Sequence, residues 1–276
     1  MTSDEKSTQA NNSASGKAKP RLKGVALPAS YGSWSLVSEP ILLGLLVAPS
    51  WAGLLLALGG FLTFLLDQPL KIILTDRKRG RQYARTRLAL RVALIYLLLT
   101  AVCFAAAVWL VGLRPLLPLI LAVPLLILFV VYDQRPGRWW QAELSAPTAF
   151  SAITATIVLA LGWDLLPALA LWAVMIARAV PAVLYVRARL RLAKGTKADI
   201  APAMGAHMAA LVIVALLVIL SLVPSTAVLA FLLLLLRAAI GLSPYRRDFP
   251  TMTIGWIETA IGLLTVLIIA AGYWIL

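Results

Sequence analysis

Apolar runs of about 20 residues recur along almost the whole of this chain. A helix rises about 1.5 Å per residue, so each run is long enough to cross the ~30 Å hydrocarbon layer of a bilayer. Within that layer backbone N–H and C=O groups find no water, which restricts such runs to helices. Nine can be counted: Ser33–Ala48, Trp51–Leu74, Arg91–Leu113, Pro115–Tyr132, Leu144–Leu161, Asp164–Val186, Ala201–Val223, Ser225–Leu242 and Thr253–Leu276. The links between runs one and two, three and four, five and six, and seven and eight are a few residues long, which makes each pair an antiparallel hairpin. Composition agrees, with 62% hydrophobic and only 13% charged residues, against roughly 25% charged in an average soluble domain. The expectation is an all-α, polytopic membrane helix bundle with about nine transmembrane helices. It forms a single transmembrane domain over residues 32–276. Residues 1–31, rich in Ser, Ala, Asn, Lys and Gly, read as a disordered cytoplasmic tail. They carry no apolar core of the kind a signal peptide needs.

The charge balance is strongly basic: 25 Lys and Arg against 11 Asp and Glu, a net +14. In a soluble chain that excess would suggest nucleic acid. Here the cations sort by loop. Arg77, Lys78, Arg79, Arg81, Arg85 and Arg87 lie between runs two and three. Arg187, Arg189, Arg191, Lys194 and Lys197 lie between runs six and seven, and Arg246 and Arg247 between eight and nine. The hairpin links hold almost none, Arg114 being the exception. The positive-inside rule then puts the N-terminus in the cytoplasm and the C-terminus outside. Topology, with contact to membrane lipids and their anionic headgroups, accounts for the basic excess and leaves no need for nucleic acid. Cys103 is the single cysteine, so no disulfide forms within the chain.

Ionisable residues inside spans cost on the order of 2.5–3.5 kcal/mol each at the bilayer centre, and they concentrate where function or pairing holds them. This chain has Glu39, Asp67, Lys71, Arg178, Arg237 and Glu258, with the sole histidine, His207, in the seventh run. All lie toward the cytoplasmic ends of their helices. Gly60, Thr63, Asp67 and Lys71 share one helical face, and so do Gly255, Glu258, Thr259 and Gly262. A polar cavity open to the cytoplasm and ringed by basic loops follows as an expectation. In it Lys71, Arg77, Arg79, Arg178 and Arg189 hold an anion, and Asp67 and Glu258 are the catalytic candidates. Glu39, Tyr185, His207 and Arg237 complete its polar lining. The alternative is that three acids and three bases pair and hold the bundle together, since their charges sum to zero. Metal ligands reduce to Asp67, Asp76, Glu39 and Glu258. These indicate no Mg²⁺ site unless substrate phosphates supply further ligands, so the sequence names no cofactor. Pro69, Arg77 and Arg79 recur at constant offset as Pro181, Arg189 and Arg191, a weak echo between two halves of the chain.

Two resemblances add to this reading. The segment Pro28-Ala-Ser-Tyr31-Gly32-Ser-Trp34, followed by Glu39-Pro40 and Gly44, resembles the opening of YwiC-like bacterial membrane proteins, a proline and then Glu-His-Gly-Ala-Trp. Ser30 and Tyr31 stand where that family has Glu and His. Gln68-Pro69-Leu70-Lys71 and Asp76-Arg77-Lys78-Arg79-Gly80-Arg81 resemble its basic loop. The resemblance runs from about Pro28 to the end of the chain. The architecture, nine helices with polar cytoplasmic loops after the second and sixth, is similar to the UbiA-type intramembrane prenyltransferases. That likeness implies an isoprenoid or other anionic amphiphile as ligand. The Asp-rich motifs of those enzymes are absent from both loops.

Three functions stay open on the sequence. One is a divergent prenyltransferase-like enzyme acting on an anionic substrate from the cytoplasmic side. The others are a transporter of a small anion and a non-catalytic membrane assembly factor.

Overall fold

A computed structural model of the chain describes residues 22–28, 31–80, 83–133, 135, 137, 139–247 and 249–275, without the side chains of residues 31–33. Most of the expected tail lies outside the described residues, as do Ser30, Arg81 and the last residue, Leu276. The described residues are helical, in chain order α1 (Leu22–Ala26), α2 (Tyr31–Val47), α3 (Trp51–Lys78), α4 (Ala84–Val111), α5 (Leu117–Asp133), α6 (Trp140–Phe150), α7 (Ala152–Ala160), α8 (Leu165–Ala193), α9 (Ala201–Ile219), α10 (Thr226–Leu242) and α11 (Thr251–Ile275). A 3₁₀ turn over Arg114–Leu116 leads into α5.

Each of the nine apolar runs falls on a helix or on two consecutive ones. Seven helical segments are long and apolar enough to cross a membrane, and the two other apolar helices, α2 and α10, are shorter. Both of these have 17 residues, the low end of the range for a span. Pro49 follows α2 and Pro244 follows α10, so neither helix continues far past its C-terminal end. Other helices run past the apolar stretch instead. α8 continues to Ala193, carrying Arg187, Arg189 and Arg191 on helix where a loop was expected. Arg85 and Arg87 likewise lie in the first turn of α4. Arginine is a good helix former, and at the end of α8 it also meets the negative end of the helix dipole.

The chain divides into two compact units, residues 1–29 with 65–98, and residues 30–64 with 99–276. In the first, Val25 of α1 packs with Ala89 and Val92 of α4, together with Ile72, Ile73 and Tyr96. The Tyr96 hydroxyl donates to the Ala26 carbonyl at 3.3 Å, and the Gln68 amide donates to the Gly24 carbonyl at 3.4 Å. At the α3–α4 turn, Gly80 sits at φ +62°, a backbone setting that glycine takes without a Cβ penalty. Asp76, fully buried, accepts from Arg85 Nε at 3.1 Å, Arg85 Nη2 at 2.5 Å and Thr86 Oγ1 at 2.6 Å. A single carboxylate thereby ties the end of α3 to the start of α4.

In the second unit α2 packs on α7 and α11, α8 on α7 and α9, and α10 on α9 and α11. Its main core joins Leu43, Val158, Leu171, Val174, Met175, Val214, Phe231 and Ile269. Several polar bonds inside this unit tie one helix to another. Pro147 lies within the fifth apolar run, and α6 and α7 are divided at Ser151, whose backbone stays in the right-handed helical region. The Trp172 indole of α8 donates to the Thr148 carbonyl and to Ser151 Oγ, both at 3.1 Å, meeting groups that the break frees. Thr154 Oγ1 of α7 donates across to the Pro40 carbonyl of α2 at 2.8 Å. The outward faces of α9 and α10 present Val212, Leu216, Leu229, Leu232 and Ile240, all exposed. Contiguous apolar faces of this extent suit lipid, not water, and the chain is a polytopic helical membrane protein.

Thr154→Val should remove an interhelical bond at almost constant volume and lower stability by about 0.6–1.7 kcal/mol. Thr156→Val should cost less, because the Thr156 hydroxyl bonds only to the Ala152 carbonyl of its own helix. Equilibrium unfolding in mixed detergent micelles measures both.

Candidate functional site

Arg178 is the deepest charge in the second unit. It occupies the middle of α8, 2% exposed, on a face that also carries Pro181 and Tyr185 at helical spacing. Its Nη2 donates to Glu39 Oε1 of α2 at 3.2 Å and to the Glu258 carbonyl of α11 at 3.5 Å. A buried guanidinium without a carboxylate would be strongly unfavourable in this setting. Glu39, itself 3% exposed, provides one. Gly262 makes the approach possible: a Cβ there would collide with the Glu39 carboxylate and the Arg178 guanidinium.

A second pair lies alongside. Arg237 of α10 donates through Nη2 to Glu258 Oε2 of α11 at 2.7 Å. Its guanidinium lies 4.0 Å from the centre of the Tyr185 ring, a cation–π contact that partly replaces lost hydration. Gly241, one turn along α10, leaves the space that the Tyr185 hydroxyl occupies. Tyr185 also meets His207 of α9 edge-on, with ring centres 6.4 Å apart, and His207 Nδ1 shares a hydrogen bond of 2.8 Å with the Ala203 carbonyl. Five helices, α2, α8, α9, α10 and α11, thus bring together six of the residues singled out in the sequence: Glu39, Arg178, Tyr185, His207, Arg237 and Glu258.

The pairs use only part of what these groups offer. Among the described residues, Nε and Nη1 of both Arg178 and Arg237 have no hydrogen-bond partner, and neither does Glu258 Oε1. A guanidinium carries five N–H donors in a planar fork, so each pair leaves buried donors unused.

Beside this network is a groove of about 470 Å³, formed by α8, α10, α11 and the segment between α10 and α11. Tyr185, Arg189, Arg237, Arg246, Arg247 and Glu258 make its polar side. Arg189, 3% exposed, donates through Nη2 to the Arg247 carbonyl, which fixes the connecting segment to α8. Leu233, Leu236, Ile240 and Ile257 are among its apolar lining. A second concavity, about 270 Å³ between α2 and α3, is lined mainly by apolar side chains such as Ile41, Leu45 and Phe61; it carries no group for chemistry.

The remaining candidates belong to the first unit. Asp67 and Lys71 pair with each other at 2.9 Å, one helical turn apart on α3. Arg77 and Arg79 are exposed at the end of that helix. Asp76, considered as a metal ligand, is engaged by Arg85 and Thr86. Among the described residues no group of three or more His, Cys, Asp or Glu is placed to hold a metal ion. The six intramembrane charges therefore close into three pairs: Glu39 with Arg178, Asp67 with Lys71, and Arg237 with Glu258.

Arg246 and Arg247 entered the sequence reading only as markers of topology, yet both line the groove. The signal that could have found them is local: two arginines in a short segment bounded by Pro244 and Pro250, with Tyr245 and Phe249 beside them. Glu143 was also missed. It accepts from Arg187 at 3.1 Å, linking α6 to α8.

No curated protein and no solved structure matches the chain. A family match does exist, and it covers just under half of the residues. It includes Glu39 and the helices from α2 into α7, and it stops short of Arg178 and of the groove, where the resemblance had been expected to continue to the end of the chain. Residues 27–158 match the family model described as YwiC-like protein, so that segment is similar to the family.

Proposed function

We propose that this multi-pass protein lies in a bacterial cytoplasmic membrane with its basic segments and its groove on the cytoplasmic side, and that the groove binds an anionic ligand of the phosphate class. The lining carries the reading: four arginines against one carboxylate among the described residues, in a concavity of the size that small-molecule sites have. Arginine forks match phosphate oxygens in pairs. Arg237 lines the groove while its Nη2 holds Glu258, so its charge adds to the attraction of the lining for an anion. In the transferase version of this reading, on the UbiA pattern, Glu258 is the acid or base, as the one carboxylate among the described residues that line the groove.

A separate observation favours a structural role for Glu39 and Arg178. Both are buried, they bond to each other, and Gly262 makes room for them. In this second reading they hold α2, α8 and α11 together and need not touch a ligand.

Isothermal titration of the purified protein with inorganic pyrophosphate tests the groove. The unaltered protein should bind it, more weakly as salt rises. Arg246→Gln with Arg247→Gln should weaken binding about tenfold or more, from the loss of charge-assisted bonds. Absence of binding by the unaltered protein overturns the proposal.

Orientation is checked with alkaline phosphatase fusions. A fusion after Lys197 should be inactive and one after Gly162 active; the reverse pattern would put the groove outside.

Glu39→Gln should strand Arg178 and lower stability by about 3–5 kcal/mol. Adding Arg178→Met should recover much of that loss. A Glu39→Gln variant of unchanged stability that no longer binds pyrophosphate would instead place Glu39 at the ligand.

A further inference from the structure

We infer that the groove takes its phosphate on a lipid, which enters sideways from the bilayer and lays its chain along α10 and α11. The inference rests on the anion-binding reading and names the class of molecule that carries the anion. Its basis is the division of the groove into two chemistries along one helix face. On α10, Leu233, Leu236, Arg237 and Ile240 fall at successive spacings of three, one and three residues, so they form one stripe. All four line the groove. The arginine that would hold the head is therefore flanked by the side chains that would hold a chain.

Depth gives the direction. Arg237 lies five residues before the end of α10 at Leu242, or about 8 Å along the axis. Leu233 lies four residues earlier again, about 6 Å deeper. Arg246 and Arg247 follow the end of the helix. A head held among these arginines sits near the membrane surface, and its chain continues past Leu236 and Leu233 toward the bilayer centre. A chain turned the other way would leave apolar surface for water.

Access supports lateral entry. Leu236 and Ile240 are 57% and 59% exposed although they line the groove, so its apolar wall is continuous with the lipid-facing surface of α10. Ile257 of α11, half-buried, faces the groove from the other side, and the exposed indole of Trp256 precedes it. Tyr245 and Phe249, also exposed, lie in the same segment as Arg246 and Arg247, and aromatic side chains of this kind are enriched at bilayer interfaces. A site for a water-soluble anion has no use for an apolar wall open to lipid. A phosphate-headed lipid uses both halves.

The test compares inorganic pyrophosphate, ethyl phosphate and octyl phosphate as ligands of the purified full-length protein, each by isothermal titration in a non-ionic detergent. Octyl phosphate should bind at least about tenfold more tightly than ethyl phosphate, since each methylene buried contributes up to about fourfold. Leu233→Ala with Leu236→Ala should remove most of that advantage and leave pyrophosphate affinity unchanged. Ile213→Ala with Leu216→Ala, on the lipid face of α9, should change neither. This control separates binding in the groove from partition into the micelle. Equal affinities for the two alkyl phosphates, or an octyl advantage unaffected by the α10 changes, overturn the lipid inference while pyrophosphate binding still supports the anion site. Failure of all three ligands to bind overturns the anion-binding reading itself.

Discussion

An ionised side chain in hydrocarbon must be cancelled by something close to it, because no solvent is there to do so. The six intramembrane charges of this protein obey that constraint one pair at a time. Glu39 meets Arg178 at 3.2 Å, Arg237 meets Glu258 at 2.7 Å, and Lys71 meets Asp67 at 2.9 Å. The first two pairs join different helices, so the cancellation also dictates which helices stand together. α2 and α11 pack on each other, and the Arg178 guanidinium of α8 bonds to both. Apolar packing alone gives little preference among partners in lipid, whose tails resemble the side chains they would replace. The buried charges supply that preference.

The groove uses a different kind of electrostatics. Among the described residues its arginines outnumber its carboxylates, so the lining is attractive to anions, where the buried pairs close by are neutral. The two regions meet at Glu258. Its side chain bonds to Arg237 in the groove, while its carbonyl accepts from Arg178 in the core. Arg189 makes a second connection, through the Arg247 carbonyl. The cationic lining therefore hangs on α8 and α11, the helices that the buried pair engages, and is not carried by the connecting segment alone.

Much of this was legible in the sequence, for identifiable reasons. Length and hydropathy locate the spans because the bilayer sets the length of a helix that crosses it. The zero sum of the six charges within the apolar runs left pairing open as the alternative, and the four-residue spacing of Asp67 and Lys71 put those two on one helix face. The partners of Glu39 and Arg237 could not be named that way, since they lie on distant helices and helix order in a bundle is not written in local periodicity. The break at Ser151 was missed because Pro147 is compatible with a kinked helix as well as a divided one. The extension of α8 to Ala193 was missed because charge was taken to end a helix. Charge ends only the apolar part. The arginines at 246 and 247 were read as a topology signal, and a residue that sets topology can also face a ligand.

Gly262 carries a consequence for how this sequence can change. Its missing side chain is the space in which Glu39 and Arg178 meet, so three positions far apart in the chain share one small volume. A Cβ at 262 would press on the far ends of two flexible side chains and not on backbone. Its cost would therefore fall on the geometry of the ion pair, and the helices could keep their places.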